Sequence, residues 1–515
     1  MYIGDYLGRR EIYSPNKLAI IDAGKTPALR LTYRQWNRRV NRLANWLRHT
    51  AGVEKGDRVA ILARDGIEHL DCFHACSKLG AIHTALNWRL HWRETAALLE
   101  DTTPKVLLYS ADFTNDVAQI QSTPRNTKYE IRNYIHLEGE GIAGSLLYES
   151  VLDGSVDTAV TCETLDKEDI ACLIFTGGTT GLPKGAKISH RMINWNVLNT
   201  VIHDLTHDDI YLNVFPLFHT GGLFAYTSSQ IVFGNTTVIT RQFDSEQVLD
   251  LIEQEQVTVF AAVPTMYQMM TQARNWETAV LTSLRFCTSG GAPLPVPLVQ
   301  QYARQKGIRF KQGFGMTEFG PGLFALPAAD AIRKAGSIGR PNFFIDVRVV
   351  DDKNQPLGPN EVGELVLKGP SGCSGYWNNP EASAAVIDDE GWFHTGDLVR
   401  HDEEWYFYVV DRKKDMFISG AENVYPAEIE AALYKHEAVH MCAVIGVPDE
   451  KWGEVGKACV VLKPGTAVTE TELITFLQDR LARYKVPKSV AFLTELPISG
   501  AGKILKRELR EKFVS

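Results

Sequence analysis

The sequence predicts an α/β protein in two parts, a large one followed by a small one, on three observations. Short apolar runs rich in β-branched residues alternate with stretches of helical periodicity. A polar run at 411–415 (DRKKD) interrupts that alternation. Beyond it the elements keep a different order, enough for a small α+β unit. The chain therefore divides into 1–410, a linker at 411–415, and 416–515, the last of a usual domain size.

In the large part, residues 58–63 (RVAILA), 105–109 (KVLLY), 257–263 (VTVFAAV) and 347–350 (VRVV) read as strands. Between them, 33–48 places Trp36, Val40, Leu43 and Leu47 on one face at spacings of three and four, the stripe of an amphipathic helix. The same helix carries Arg34, Arg38, Arg39, Arg42 and Arg48. They read as a solvated face or, as a hypothesis, a contact for anionic membrane. In the small part, 426–433 and 470–483 read as helices, and 443–447 and 458–462 as strands.

With 515 residues, 44% of them hydrophobic, the chain exceeds the ~250–300 residues at which single cores stop growing. A net charge of −8 provides no global cationic field for a nucleic acid, so any anion site must be local. Eight thinly spread cysteines fit reduced thiols better than a disulfide framework. Cys72, His74 and Cys76 form Cys-x-His-x-Cys, but no second ligand pair follows at zinc-like spacing, so they read as packed core thiols. Residues 1–10 lack the apolar stretch of a signal peptide, and no run reaches the ~18 apolar residues of a membrane span. A cytoplasmic protein without an integral membrane anchor is expected. A serine hydrolase is disfavoured, because no Gly-x-Ser-x-Gly elbow occurs.

The most informative segment is 174–185 (IFTGGTTGLPKG), where an apolar strand gives way to Thr176, Gly177, Gly178, Thr179, Thr180 and Gly181, then Lys184. Glycines let backbone N–H groups approach phosphate oxygens, threonine hydroxyls add donors, and the lysine adds charge. It reads as a polyphosphate cradle; a plain Gly/Thr surface loop is the alternative. It is not a Walker A loop, since no Gly-Lys-Ser/Thr closes it, and Gly313-Phe314-Gly315 fails as a dinucleotide fingerprint because Glu318 takes the third glycine's place.

With 216–219 (PLFH), 290–295 (GGAPLP), 312–318 (QGFGMTE), 391–398 (GWFHTGDL), 411–415, 420–430 (GAENVYPAEIE) and 500–506 (GAGKILK) following in order, the sequence resembles the adenylate-forming superfamily of acyl-CoA synthetases, luciferases and non-ribosomal adenylation domains. The resemblance covers nearly the whole chain. It implies a large N-terminal domain of packed α/β subdomains and a small mobile C-terminal lid, with the active site between them. Gly177 departs from the serine common in the family, so one hydroxyl contact to pyrophosphate is missing while the backbone donors remain.

The implied reaction joins a carboxylic acid to coenzyme A through an acyl-adenylate, with ATP and Mg²⁺. Thr176, Thr179, Thr180 and Lys184 would then hold the β- and γ-phosphates, with Gly177, Gly178 and Gly181 supplying backbone. Glu318 would ligate Mg²⁺, with Thr317 near the α-phosphate. Phe314 would stack on adenine, bordered by the backbone of Gly290, Gly291, Ala292 and Pro293 and by Gln312, Gly313 and Gly315. Asp397 would accept the ribose hydroxyls with Arg412 nearby. Lys503 would bridge the acyl carboxylate and the α-phosphate, its cationic head holding two anions that repel each other. In the second half-reaction the lid would rotate about the linker at Lys414, bringing the segment that begins at Gly420 toward the pantetheine channel.

The acyl group is read by resemblance. Residues 220–230 (TGGLFAYTSSQ) contain no acid to pair with an amine, so an α-amino acid is disfavoured. Gly315 stands where acetate- and propionate-specific relatives carry tryptophan, leaving space for a longer or aromatic group. His219, Gly221, Gly222, Phe224 and the Gly290–Gly291 pair would line that space. His219 would contact the carboxylate or the incoming thiol, a satisfied core histidine being the alternative. A medium- or long-chain fatty acid is the first expectation and an aromatic acid the next. An enzyme loading a separate carrier protein, a luciferase-like oxygenase and a nucleotide-binding regulator are the alternatives. The sequence leaves monomer and homodimer open.

Overall fold

The computed structural model describes residues 3–123, 131–176, 183–292, 294–419, 422–498 and 504–514. They form two compact units. The first comprises 1–346 with 368–393, and the second 347–367 with 394–515.

Two sheets organise the first unit. In the seven-stranded sheet the order is Leu146–Leu147, Asn133–His136, Val106–Tyr109, Arg58–Leu62, Ile82–Ala85, Ile170–Thr176, Lys184–Ser189. Its central strands pair in parallel and are almost wholly buried, which is why they read as unbroken apolar runs. Only the closing hairpin of Ile170–Thr176 with Lys184–Ser189 is antiparallel at that edge. The nine-stranded sheet runs Arg340–Pro341, Gly322–Leu326, Phe310–Gly315, Phe286–Ser289, Val259–Ala262, Ile210–Asn213, Thr236–Ile239, Leu18–Asp22, Leu29–Thr32. Its core packs Phe260, Tyr267, Tyr302 and Phe310 edge to face, with Tyr267 and Phe310 ring centroids 4.8 Å apart.

The strands expected at 58–63, 105–109 and 257–263 are Arg58–Leu62, Val106–Tyr109 and Val259–Ala262, each trimmed where ladder pairing stops before the apolar run does. The helix expected at 33–48 is Tyr33–His49, begun by a capping box between Thr32 and Gln35. Four of its arginines face the chain's own acids, and Arg48 donates to the Thr161 carbonyl at 2.9 Å. Arg39 lies 2.6 Å from Asp71 and 2.8 Å from Glu149, Arg34 lies 3.7 Å from Glu11, Arg38 3.9 Å from Asp157 and Arg42 4.0 Å from Asp153. Among the described residues, no helix is long and apolar enough to cross a membrane.

The second unit carries two smaller sheets. One orders Asp346–Val350, Gly363–Lys368, Phe393–His401 and Phe407–Arg412. The other is built on the hairpin of Val439–Asp449 with Gly453–Leu462, flanked by Phe417–Ser419, Glu422–Val424 and Ser489–Phe492. Each hairpin strand is longer than the apolar stretches 443–447 and 458–462. Pairing continues through polar positions as far as Asp449↔Gly453, which periodicity cannot mark. The helix at 426–433 is Pro426–Leu433. That expected at 470–483 ends at Gln478, where the buried stripe of Leu473 and Leu477 gives out into exposed residues 478–480.

Candidate active site

The hairpin of Ile170–Thr176 and Lys184–Ser189 brings both ends of the Gly/Thr loop to one rung of a ladder. Thr176 pairs with Lys184 in register, and its hydroxyl donates to the Lys184 carbonyl at 3.3 Å. Gly177, Gly178, Thr179, Thr180 and Gly181 lie outside the described residues.

A further segment lines this hairpin. The Trp377 N–H donates to the Gly185 carbonyl at 2.7 Å, the Lys187 N–H donates to the Gly375 carbonyl at 3.1 Å, and Tyr376 bridges Ala186. The Tyr376 ring is thereby placed with the Lys184 ammonium 5.3 Å from its centroid, while its hydroxyl donates to Glu318 Oε1 at 2.8 Å. Burial and the Glu318 charge push the Tyr376 phenol above its ordinary pKa, so it remains a donor. Glu318 sits in the 3₁₀ turn Thr317–Phe319, 7% exposed, and its carbonyl accepts the Cys373 N–H at 2.8 Å. A carboxylate offers about four lone-pair sites, so Tyr376 leaves Glu318 capacity for a hard cation. An oxygen donor of this kind fits Mg²⁺.

The remaining first-unit residues lie in or beyond the carboxyl-end portions of adjacent parallel strands, where open α/β sheets bind ligands. Ser289 is in register with Gln312. Gly290, Gly291 and Ala292 leave the strand beyond Ser289, with Gly291 at φ +81; Pro293 lies outside the described residues. The Gln312 amide fastens this turn. It donates to the Ser337 carbonyl at 3.1 Å, and its oxygen accepts the Leu294 N–H at 3.2 Å. Gly313 pairs with Ala325, and the Phe314 ring stands edge-on to Phe324, centroids 5.7 Å apart. At Gly315 a Cβ would lie 1.7 Å from the Pro321 carbonyl oxygen, so the close turn itself demands glycine, whatever the acyl space requires.

His219 follows the strand Ile210–Asn213, stacked obliquely on Phe218 with centroids 4.5 Å apart. Asn213 shapes this turn, donating to the Gly222 carbonyl at 3.0 Å and accepting the Phe215 N–H at 3.0 Å. Asp65 holds it from the other sheet, accepting the Leu217 N–H at 2.7 Å. Burial pushes the Asp65 carboxyl up to about 7.

In the second unit, Asp397 and Arg412 stand opposite each other on the antiparallel strands Phe393–His401 and Phe407–Arg412, 3.1 Å apart. Asp397 is buried and Arg412 half-exposed. Asp411 accepts the N–H groups of Arg412 at 2.7 Å and Ala427 at 2.8 Å, tying the polar run to the helix Pro426–Leu433. Burial holds the Lys414 ammonium below its ordinary pKa. Gly420 and Lys503 lie outside the described residues.

Sequence reasoning missed Tyr376 and Asp65. A tyrosine in 375–379 (GYWNN) resembles any turn aromatic, and its partner Glu318 is 58 residues away. Asp65 lies three residues past the strand Arg58–Leu62, near a carboxyl end where its acidity alone is a hint.

Known proteins resemble this chain along nearly its whole length. The AMP-binding enzyme family matches residues 11–377, and the AMP-binding enzyme C-terminal domain matches 428–503. A feruloyl-CoA synthase from an Amycolatopsis species is 42% identical over 99% of both chains. An indoleacetate–CoA ligase from Aromatoleum aromaticum is 38% identical, and a long-chain-fatty-acid–CoA ligase from Mycobacterium tuberculosis 37%, each over 99% of this chain and 98% of the relative. The solved o-succinylbenzoate coenzyme A synthetase from Bacillus subtilis, in complex with ATP and magnesium ion, superposes with a TM-score of 0.86 at 30% identity over 99% of both chains.

Proposed function

Since this chain belongs to the AMP-binding enzyme family and is an AMP-forming acid–CoA ligase working with ATP, Mg²⁺ and CoA, we propose that its acid is aromatic, of the arylacrylate or arylacetate kind. This reverses the order expected from sequence, which put a fatty acid first. The support is 42% identity to the feruloyl-CoA synthase and 38% to the indoleacetate ligase, against 37% to the fatty acid ligase. The fatty acid remains the second reading on that last relative.

The observation that carries the chemistry is the group of Lys184, Tyr376 and Glu318 beside the Thr176–Lys184 rung. In this reading Thr176 and Lys184 hold phosphate oxygens at the loop's mouth, and Glu318 is the Mg²⁺ ligand, kept in place by Tyr376. Mg²⁺ supplies charge neutralisation to the phosphates when bound. Asp397, its carboxylate oriented by Arg412, takes the ribose hydroxyls. Lys503 draws the acyl carboxylate to the α-phosphate, and His219 stands toward the acyl side. In this reading 411–415 is the hinge and 416–515 the lid.

The test is acid-dependent pyrophosphate release from Mg·ATP over hydroxycinnamic, arylacetic and straight-chain acids, with and without CoA, for wild type and Lys503→Ala. Aromatic acids are expected to exceed straight-chain ones in kcat/KM by about tenfold or more, equivalent to ~1.4 kcal/mol. A straight-chain preference would install the fatty acid reading. Turnover indifferent to CoA would point to a carrier protein, and oxygen-dependent light to an oxygenase.

A further inference from the structure

Away from these residues, three soft ligand atoms meet inside the first unit. Cys72 and Cys76 lie one turn apart on the helix Ile67–Leu79 and therefore share a face. His83 comes from the adjoining strand Ile82–Ala85. The two sulfurs and one imidazole nitrogen lie within 4.8 Å of one another, and all three residues are 0% exposed. Cys172, equally buried, is the register partner of His83 on the neighbouring strand.

Both ring nitrogens of His83 lack a hydrogen-bond partner among the described residues. Leaving a buried polar atom unsatisfied costs about 1–3 kcal/mol, so packing alone accounts poorly for a histidine here. A leucine or valine would fill a sheet interior without that cost. The aromatic neighbours offer no remedy, since Phe73 meets the His83 ring edge to face at 5.8 Å and His69 at 6.4 Å.

We propose that Cys72, Cys76 and His83 form a buried structural site for one Zn²⁺ ion. Zinc takes thiolate and imidazole ligands tetrahedrally, with Zn–S near ~2.3 Å and Zn–N near ~2.0 Å, which sets ligand atoms roughly 3.5–3.8 Å apart. The observed cluster needs only a slight contraction to reach that spacing. Charge favours a divalent ion. Two thiolates and one Zn²⁺ sum to zero, whereas a monovalent ion would leave a net negative charge buried. Binding releases the two thiol protons to solvent and leaves the imidazole neutral. His74, the histidine between the cysteines in sequence, is a helix neighbour whose ring stacks edge-on with Trp36 at 5.4 Å. The fold thus replaces His74 by His83 as the nitrogen donor.

The experiment measures metal in the full chain purified without chelator from zinc-supplemented cells, by elemental mass spectrometry after dialysis against EDTA. One zinc per chain is expected in wild type, and none in Cys72→Ser, Cys76→Ser or His83→Gln. Wild type refolded with Co²⁺ is expected to show thiolate-to-cobalt charge-transfer absorption and the d–d bands of a tetrahedral site. This second measurement stands even if His83→Gln fails to fold. Wild type free of zinc and without the cobalt bands overturns the proposal. So does zinc that survives in both cysteine variants, which would place it elsewhere.

Discussion

Tyr376 donates a 2.8 Å hydrogen bond to Glu318 and, with the opposite face of its role, offers its ring to the Lys184 ammonium 5.3 Å away. One aromatic side chain thereby links the carboxylate and the cation that the proposed mechanism assigns to metal and phosphate.

Tyr376→Phe keeps the ring and removes the donor. Hydrogen bonds to charged groups are worth about 1.5–3 kcal/mol, so kcat/KM for pyrophosphate release should fall ~10- to 100-fold. Circular dichroism should be unchanged. A variant with wild-type kcat/KM would remove the hydroxyl from the mechanism.

Gly315→Ala tests whether the glycine serves the turn as well as the acyl space. Its Cβ would stand 1.7 Å from the Pro321 carbonyl, and forced overpacking costs about 1–3 kcal/mol. A lower Tm by scanning calorimetry is expected even without any acid bound. An unchanged Tm would leave acyl space as the reason for glycine.

Asp65 makes stability depend on pH. Burial raises its carboxyl from the ordinary 3.8 to about 7 in the folded chain, so between those values the native state binds more protons than the unfolded state. Stability is therefore greatest at the acidic end of this window and declines as pH rises through about 7. Asp65→Asn keeps an oxygen for the Leu217 N–H and has no proton to lose. The Tm of the variant should match wild type near pH 4 and exceed it progressively toward pH 8. Parallel Tm profiles would dismiss the assignment.

Arg39 distinguishes a structural arginine from a membrane-facing one. Asp71 is fully buried and accepts from Arg39 at 2.6 Å, Trp36 at 2.9 Å and Tyr148 at 2.9 Å. Arg39→Met leaves that carboxylate without its cation, a loss of about 3–5 kcal/mol visible in urea unfolding. Arg38→Glu, at a half-exposed and weakly paired position, should change stability little. Liposome co-sedimentation that falls with Arg38→Glu would revive the membrane contact.

Much of the local structure is legible because local spacing causes it. The 3.6-residue period at Trp36, Val40, Leu43 and Leu47 and the apolar run at 58–63 need no partner to be read, and the helix Tyr33–His49 and strand Arg58–Leu62 follow them closely. The family resemblance implied that Arg412 lies near Asp397, and strand register sets the two 3.1 Å apart. Strand ends were less legible, as at Val439–Asp449, because backbone pairing continues where hydropathy stops.

By itself, then, the sequence determined the α/β character and the adenylate-forming family, since these reside in composition, periodicity and short motifs. Only the tertiary structure decided that Tyr376 reaches Glu318, that Asp65 supports the turn before His219, that Arg39 neutralises Asp71, and that His83 joins Cys72 and Cys76. Each of these joins residues whose proximity depends on sheet order and helix packing. Burial then magnifies their electrostatics, because a charge or polar group removed from water is stabilised only by the partner the fold brings to it.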